Sequence, residues 1–151
     1  MKRTRIATVA ALALLAVVPA VGCGSDNSDQ FREDYNAAVD KLSKINTDIG
    51  SAAGDAGERS NAKIANEFNQ IADTAEQTRS DLAGLDPPED AKQEFDKLLA
   101  ALEKGVGDLR SVAKAAKSNN PQRANQAVED LAQSGKEITA AETALKEAVD
   151  G

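Results

Sequence analysis

From Phe31 onward, apolar residues return at alternating intervals of four and three. The first run is Phe31, Tyr35, Ala38, Leu42, Ile45, Ile49 and Ala52. A second follows at Ile64, Phe68, Ile71, Ala75, Thr78, Leu82 and Leu85. The third comprises Ala91, Phe95, Leu98, Leu102, Gly105, Leu109, Val112 and Ala116. The last is Ala124, Val128, Leu131, Gly135 and Ile138, then either Ala141 or Glu142, then Leu145 and Val149. Polar residues fill the intervening positions. Each run therefore draws one apolar stripe along a helix, and none shows the period-two alternation of a half-buried strand. Abundant alanine adds helix propensity.

The breaks between runs carry matching signals. Gly50, Gly54 and Gly57 fray or end the first helix, and either Ser60 or Asp55 is placed to cap the second. In Asp86-Pro-Pro-Glu89, Asp86 stands at an N-cap, Pro87 at the first helical position and Glu89 at the capping-box partner. Ser118-Asn-Asn-Pro121 repeats this logic, with Asn120 as cap and Pro121 as first residue. Short joints fold successive helices back on each other. The fold class is all-α: an antiparallel up-down-up-down four-helix bundle, each helix about 28 residues and roughly 42 Å long. Its rival is a pair of long hairpins associating with another copy, since a sustained 3.5-residue repeat also suits a coiled coil. A closed monomer is the expected state, with coiled-coil-like self-association as the alternative.

Two glycines on the stripes, Gly105 and Gly135, stand out because each costs about 1 kcal/mol relative to alanine inside a helix. They lie at nearly equal distances on either side of the turn at Asn119, so an antiparallel hairpin brings them level. Close helix approach is the plain reading. The functional one is a mid-bundle cavity for a small apolar ligand. Gly105-Val-Gly107 and Gly50-Ser-Ala-Ala-Gly54 lack the strand and the Lys-Ser/Thr that a phosphate loop needs. Acidic Asp86, Glu89 and Asp90 gather at a helix start, where the macrodipole accounts for them, and no EF-hand spacing occurs. Glu142 at the stripe position is a candidate buried carboxylate, of consequence for catalysis or binding. The plainer expectation turns Ala141 inward and pairs Glu142 with Lys146 on the surface; Asp40 with Lys44 is a similar surface pair. Tyr35 is expected as a core aromatic with its hydroxyl at the rim.

Composition removes most catalytic chemistry. The 151 residues include no His, no Trp and one Cys, so a triad base, an imidazole metal ligand and an internal disulfide are all excluded. With a net charge of -7 and four aromatic residues in all, the chain does not resemble a nucleic-acid binder. No cofactor is called for, and a non-catalytic role is expected.

The N-terminus shifts the picture from fold to location. Met1-Lys-Arg-Thr-Arg5 is basic, Ile6 to Val18 is uncharged, and Pro19-Ala-Val-Gly-Cys23 follows. This is the pattern of an export signal, too short for a bilayer span of about 20 residues. Ala20-Val21-Gly22-Cys23 resembles the lipobox of bacterial lipoproteins, whose cysteine is diacylglyceryl-modified and becomes the mature N-terminus. Gly22 matches that pattern, whereas Ala20 departs from the leucine preferred there. The resemblance implies cleavage after residue 22, lipid attachment at Cys23, a flexible tether over 23–30 and a helical domain over 31–151. Ordinary secretion with a free thiol is the alternative. Two or more acyl chains hold a protein stably at a bilayer, so such an anchor needs no transmembrane helix.

Without Lys2, Arg3 and Arg5, 15 basic residues face 25 acidic ones, a net charge of -10 on the mature chain. That balance disfavours lying flat on an anionic membrane. Together with the Leu82-Ala-Gly-Leu85-Asp-Pro-Pro joint, the alanine-rich, acidic chain is similar in style to small helical lipoproteins of high-GC Gram-positive bacteria. The likeness implies an extracytoplasmic place on the cell membrane and supplies no activity. Two roles follow as expectations: a module binding a protein or envelope component, or a carrier of an apolar ligand near Gly105 and Gly135.

Overall fold

The computed structural model describes residues 25–150, and these form four helices with no strand among them. They are α1 (Ser25–Gly54), α2 (Asn61–Ala83), α3 (Lys92–Lys117) and α4 (Pro121–Asp150). Consecutive helices pack antiparallel, giving the four-helix bundle that the stripes predict. The export signal over 1–22 and Cys23 lie outside the described residues. Helix α1 begins at Ser25, so the stretch expected as tether is helical from that residue to Gln30. It also continues through Gly50 to Gly54.

Joint chemistry matches expectation at two sites and departs from it at one. Ser60 caps α2, its hydroxyl accepting the Lys63 N–H at 3.4 Å. Asn120 caps α4, its side-chain oxygen accepting the Arg123 N–H at 3.1 Å, and Pro121 opens that helix. Asn119 reverses the chain with φ 48°, a left-handed conformation that asparagine tolerates. Between α2 and α3 the expected Asp86 cap does not form. Instead Asp86–Pro88 lie outside any helix, with Pro88 at φ -53° and ψ 147°. A single 3-10 turn spans Glu89–Ala91, and the Ala91 N–H donates to the Pro88 carbonyl at 2.9 Å. The second proline biases residues before it away from helical angles, and this delays α3 to Lys92.

The core divides into two layers along the bundle axis. In one, Ile45 and Ala52 of α1, Phe68 and Ala72 of α2, Leu109 and Val112 of α3 and Ala127 of α4 come together. The other joins Phe31 and Ala38 of α1, Leu82 of α2, Phe95 and Leu98 of α3 and Leu145 of α4. All four helices supply both layers, as a closed bundle requires. In the second layer the Phe31 ring meets Phe95 edge-on at 5.4 Å and stacks on Tyr35 at 5.7 Å. Both described ends of the chain lie here, tied by Arg32 of α1, which donates to the Val149 carbonyl at 2.5 Å and pairs with Asp150 at 3.4 Å. At the opposite end, the Asn61 amide donates to the Asn119 side chain at 2.9 Å and links the two joints.

The stripes of α1, α2 and α3 face inward in the predicted phase. That of α4 is shifted by one residue over its first half. Ala127 and Ser134 are buried there, while Val128 is 51% exposed and Gly135 faces solvent. Helix α4 packs chiefly on α3, so one neighbour sets its inward face. Against that neighbour the Ser134 hydroxyl finds the Asp108 carboxylate at 2.5 Å.

Candidate functional site

Gly105 and Gly135 do not face one common space. Gly105 is buried, and a Cβ built on it would come within 3.1 Å of Ile138 Cδ1, so a side chain already occupies the space beside it. Gly135 is on the exposed side of α4, with nothing within 4 Å of a Cβ placed there. The shift of α4 separates the two: level in the hairpin, they face different surroundings. The open space expected between them is taken by Ile138.

The concavity with mixed chemistry lies elsewhere, where α4 returns alongside α1. These helices pack less closely than the three consecutive pairs. Between them runs a groove of about 510 Å³ whose lining includes Tyr35, Asn36 and Val39 from α1 and Glu142, Lys146 and Val149 from α4. Its formation follows from side-chain size. Core contact between these helices comes from Phe31, Ala38 and Leu145, and small Ala141 and Ala148 flank Leu145 on α4. Few bulky apolar groups are left to fill the seam. Arg32 and Asp150 close one end as an ion pair.

Two polar groups sit in this seam without a protein partner. Glu142 and Tyr35 are each half-buried, and neither the carboxylate nor the phenol makes a hydrogen bond or ion pair with another described residue. Burial pushes the Glu142 carboxyl above the usual carboxylate range. It also pushes Tyr35 up, to about 12, with the neighbouring charge of Glu142 adding to the effect. The surface pair expected of Glu142 and Lys146 is not formed, although both line the groove. Nor do Asp40 and Lys44 pair. Lys41, one residue on from Asp40, instead reaches across to Asp81 of α2 at 2.9 Å.

Helix periodicity places Tyr35 on a stripe and leaves the inward residue of α4 open between Ala141 and Glu142. It does not reveal that Tyr35 and Glu142 line one seam, or that this seam stays unfilled. The available signal was that ambiguity itself, since two adjacent candidates for one stripe position straddle the edge of a helix face.

A second, shallower recess of about 350 Å³ lies between α1 and α2. Arg59 on its lining is paired with Asp55 and Glu67, while Asp48 lines the same recess in no ion pair with another described residue. No helix of the described residues is long and apolar enough to cross a membrane. Compared with known proteins, the chain matches no family model, no curated sequence and no solved structure.

Proposed function

We propose that this chain is an extracytoplasmic lipoprotein, anchored to the cell membrane through Cys23, whose helical bundle is a non-catalytic module that binds a protein or envelope component. The observation that carries the reading is the lipobox-like Ala20-Val21-Gly22-Cys23 behind a basic and then apolar leader. The fold is compatible with it. Helix α1 starts two residues after that cysteine, so a lipid there would hold the Phe31 end of the bundle toward the bilayer. The linked Asn61–Asn119 joints would then face outward, with the exposed Val128 on the outer half of α4.

Radiolabelled palmitate fed to cells expressing the full chain tests the anchor. Incorporation that disappears in Cys23→Ala is expected, and label persisting in that variant overturns the lipobox assignment. Native mass spectrometry of the chain released from its own membrane tests the module. A bound protein or envelope fragment is expected, and a chain that travels alone or only with a small molecule overturns that part.

A further inference from the structure

The seam between α1 and α4 pairs an apolar floor with an unmatched acid. Val39 and Val149 supply the floor, and Glu142 and Tyr35 the polar groups. Nearby cations are arranged so that neither meets the acid. Arg32 is committed to the Val149 carbonyl and Asp150, and Lys146 remains on the rim without contacting Glu142. A carboxylate half removed from water and lacking a cation is costly, and a bound cation relieves that cost. The phenol beside it offers both a hydroxyl and an aromatic ring, and either can hold an ammonium group. A groove of about 510 Å³ is within the usual range for small-molecule sites.

From these observations we infer that the α1–α4 groove is a binding site for a small amphiphilic amine. Its ammonium group is held by Glu142 and Tyr35, and its apolar body lies along Val39 and Val149. An anion is disfavoured by Glu142, and a fully apolar ligand leaves that carboxylate buried without a partner. The inference is independent of the lipid anchor and of any protein partner. It differs in place and in ligand chemistry from the glycine cavity that the sequence suggests.

Because Tyr35 is the only tyrosine and the chain has no tryptophan, its fluorescence reports on this groove alone. The test titrates the full chain with hexylammonium at neutral pH, using hexanol and hexanoate as controls. A saturable change with hexylammonium is expected, and little or none with the other two. Glu142→Gln should weaken binding roughly tenfold or more while leaving the helical circular dichroism intact, since it removes a charge-assisted contact. Lys146→Ala should tighten binding by removing the cation that competes from the rim. Glu147→Gln, an exposed change of equal charge on the same helix, should leave it within about twofold.

Several results would overturn the assignment. These are no saturable change, hexanol binding as well as the amine, Glu142→Gln binding like the parent, or Glu147→Gln weakening binding as much as Glu142→Gln. A concentration-dependent dimer that alters Tyr35 fluorescence without the probe would give the groove to a second copy, and so overturn it too.

Discussion

The Ser134 hydroxyl donates to the Asp108 carboxylate at 2.5 Å, joining α4 to α3 at a position where α4 is fully buried. This contact and the exposure of Gly135 share one cause. Rotating α4 to bury the glycine would carry the serine away from its acceptor. Ser134→Ala leaves the shape of the interface nearly unchanged and removes the donor. It should destabilise the chain by about 1.5–3 kcal/mol, as expected for a hydrogen bond to a charged group. Chemical denaturation of the two proteins measures the difference, and an unchanged midpoint would show that the contact contributes nothing.

Gly135 and Gly107 both have room for a methyl group, and both lie inside helices. Gly135→Ala and Gly107→Ala should each stabilise by up to about 1 kcal/mol through helix propensity. Gly105→Leu should do the reverse, by roughly 1–3 kcal/mol, because Ile138 already stands there. Thermal melts of the three variants give the ordering. A Gly105→Leu variant as stable as the parent would mean that the space beside Gly105 is effectively empty.

Leu145 and Val128 share a helix and a sequence stripe but not an environment: Leu145 is fully buried, Val128 half exposed. Leu145→Ala should cost about 2–5 kcal/mol through lost burial and a cavity. Val128→Ser should stay within about 0.5 kcal/mol of the parent, as an exposed change does. Equal losses at both positions would contradict the inward face assigned to α4.

Glu142 gives the stability a pH dependence of definite sign. Its carboxyl is raised in the folded chain from an ordinary 4.5, so folding favours the protonated form. That contribution is complete below pH 4.5 and is lost as pH rises through the folded value. Glu142→Gln mimics the protonated form at every pH. Its advantage over the parent should therefore be slight below pH 4.5, grow as pH rises through the folded value, and then level off. Denaturation curves across that range check the trend, and an advantage that shrinks as pH rises would reverse the assignment.

Tyr35 provides a spectroscopic companion. Its phenol should titrate near 12 in the folded chain, as read by ultraviolet absorbance. In Glu142→Gln it should titrate lower, though still above 10.0, because burial is the larger cause and persists. A parent phenol that titrates at 10.0 would show Tyr35 to be solvated rather than half-buried.

Much of this architecture is legible in the chain because helix periodicity is a local property. Phe31, Ile45, Phe68, Leu82, Phe95 and Leu109 all face inward where their spacing puts them, each within a run of large apolar neighbours that leaves one choice of face. Ser60 and Asn120 are readable as caps for the same local reason. The cap at Asp86 is not, because two successive prolines keep the chain outside any helix before a 3-10 turn. The groove is hidden altogether. Tyr35 and Glu142 are far apart in sequence, and only the return of α4 alongside α1 makes them neighbours.

What the sequence alone determined is the number of helices, the inward faces of the first three and the positions of the joints, since periodicity and turn chemistry act over a few residues. The tertiary structure decided the rotation of α4. Along its first half the apolar signal is carried by Ala124, Ala127, Val128 and Leu131, too weak and too broad to select one face. Packing on α3 selected it instead: Ser134 meets Asp108, Ile138 takes the space beside Gly105, and Gly135 is turned toward water. Side chains that can satisfy each other across an interface set the rotation of a helix whose own stripe is ambiguous.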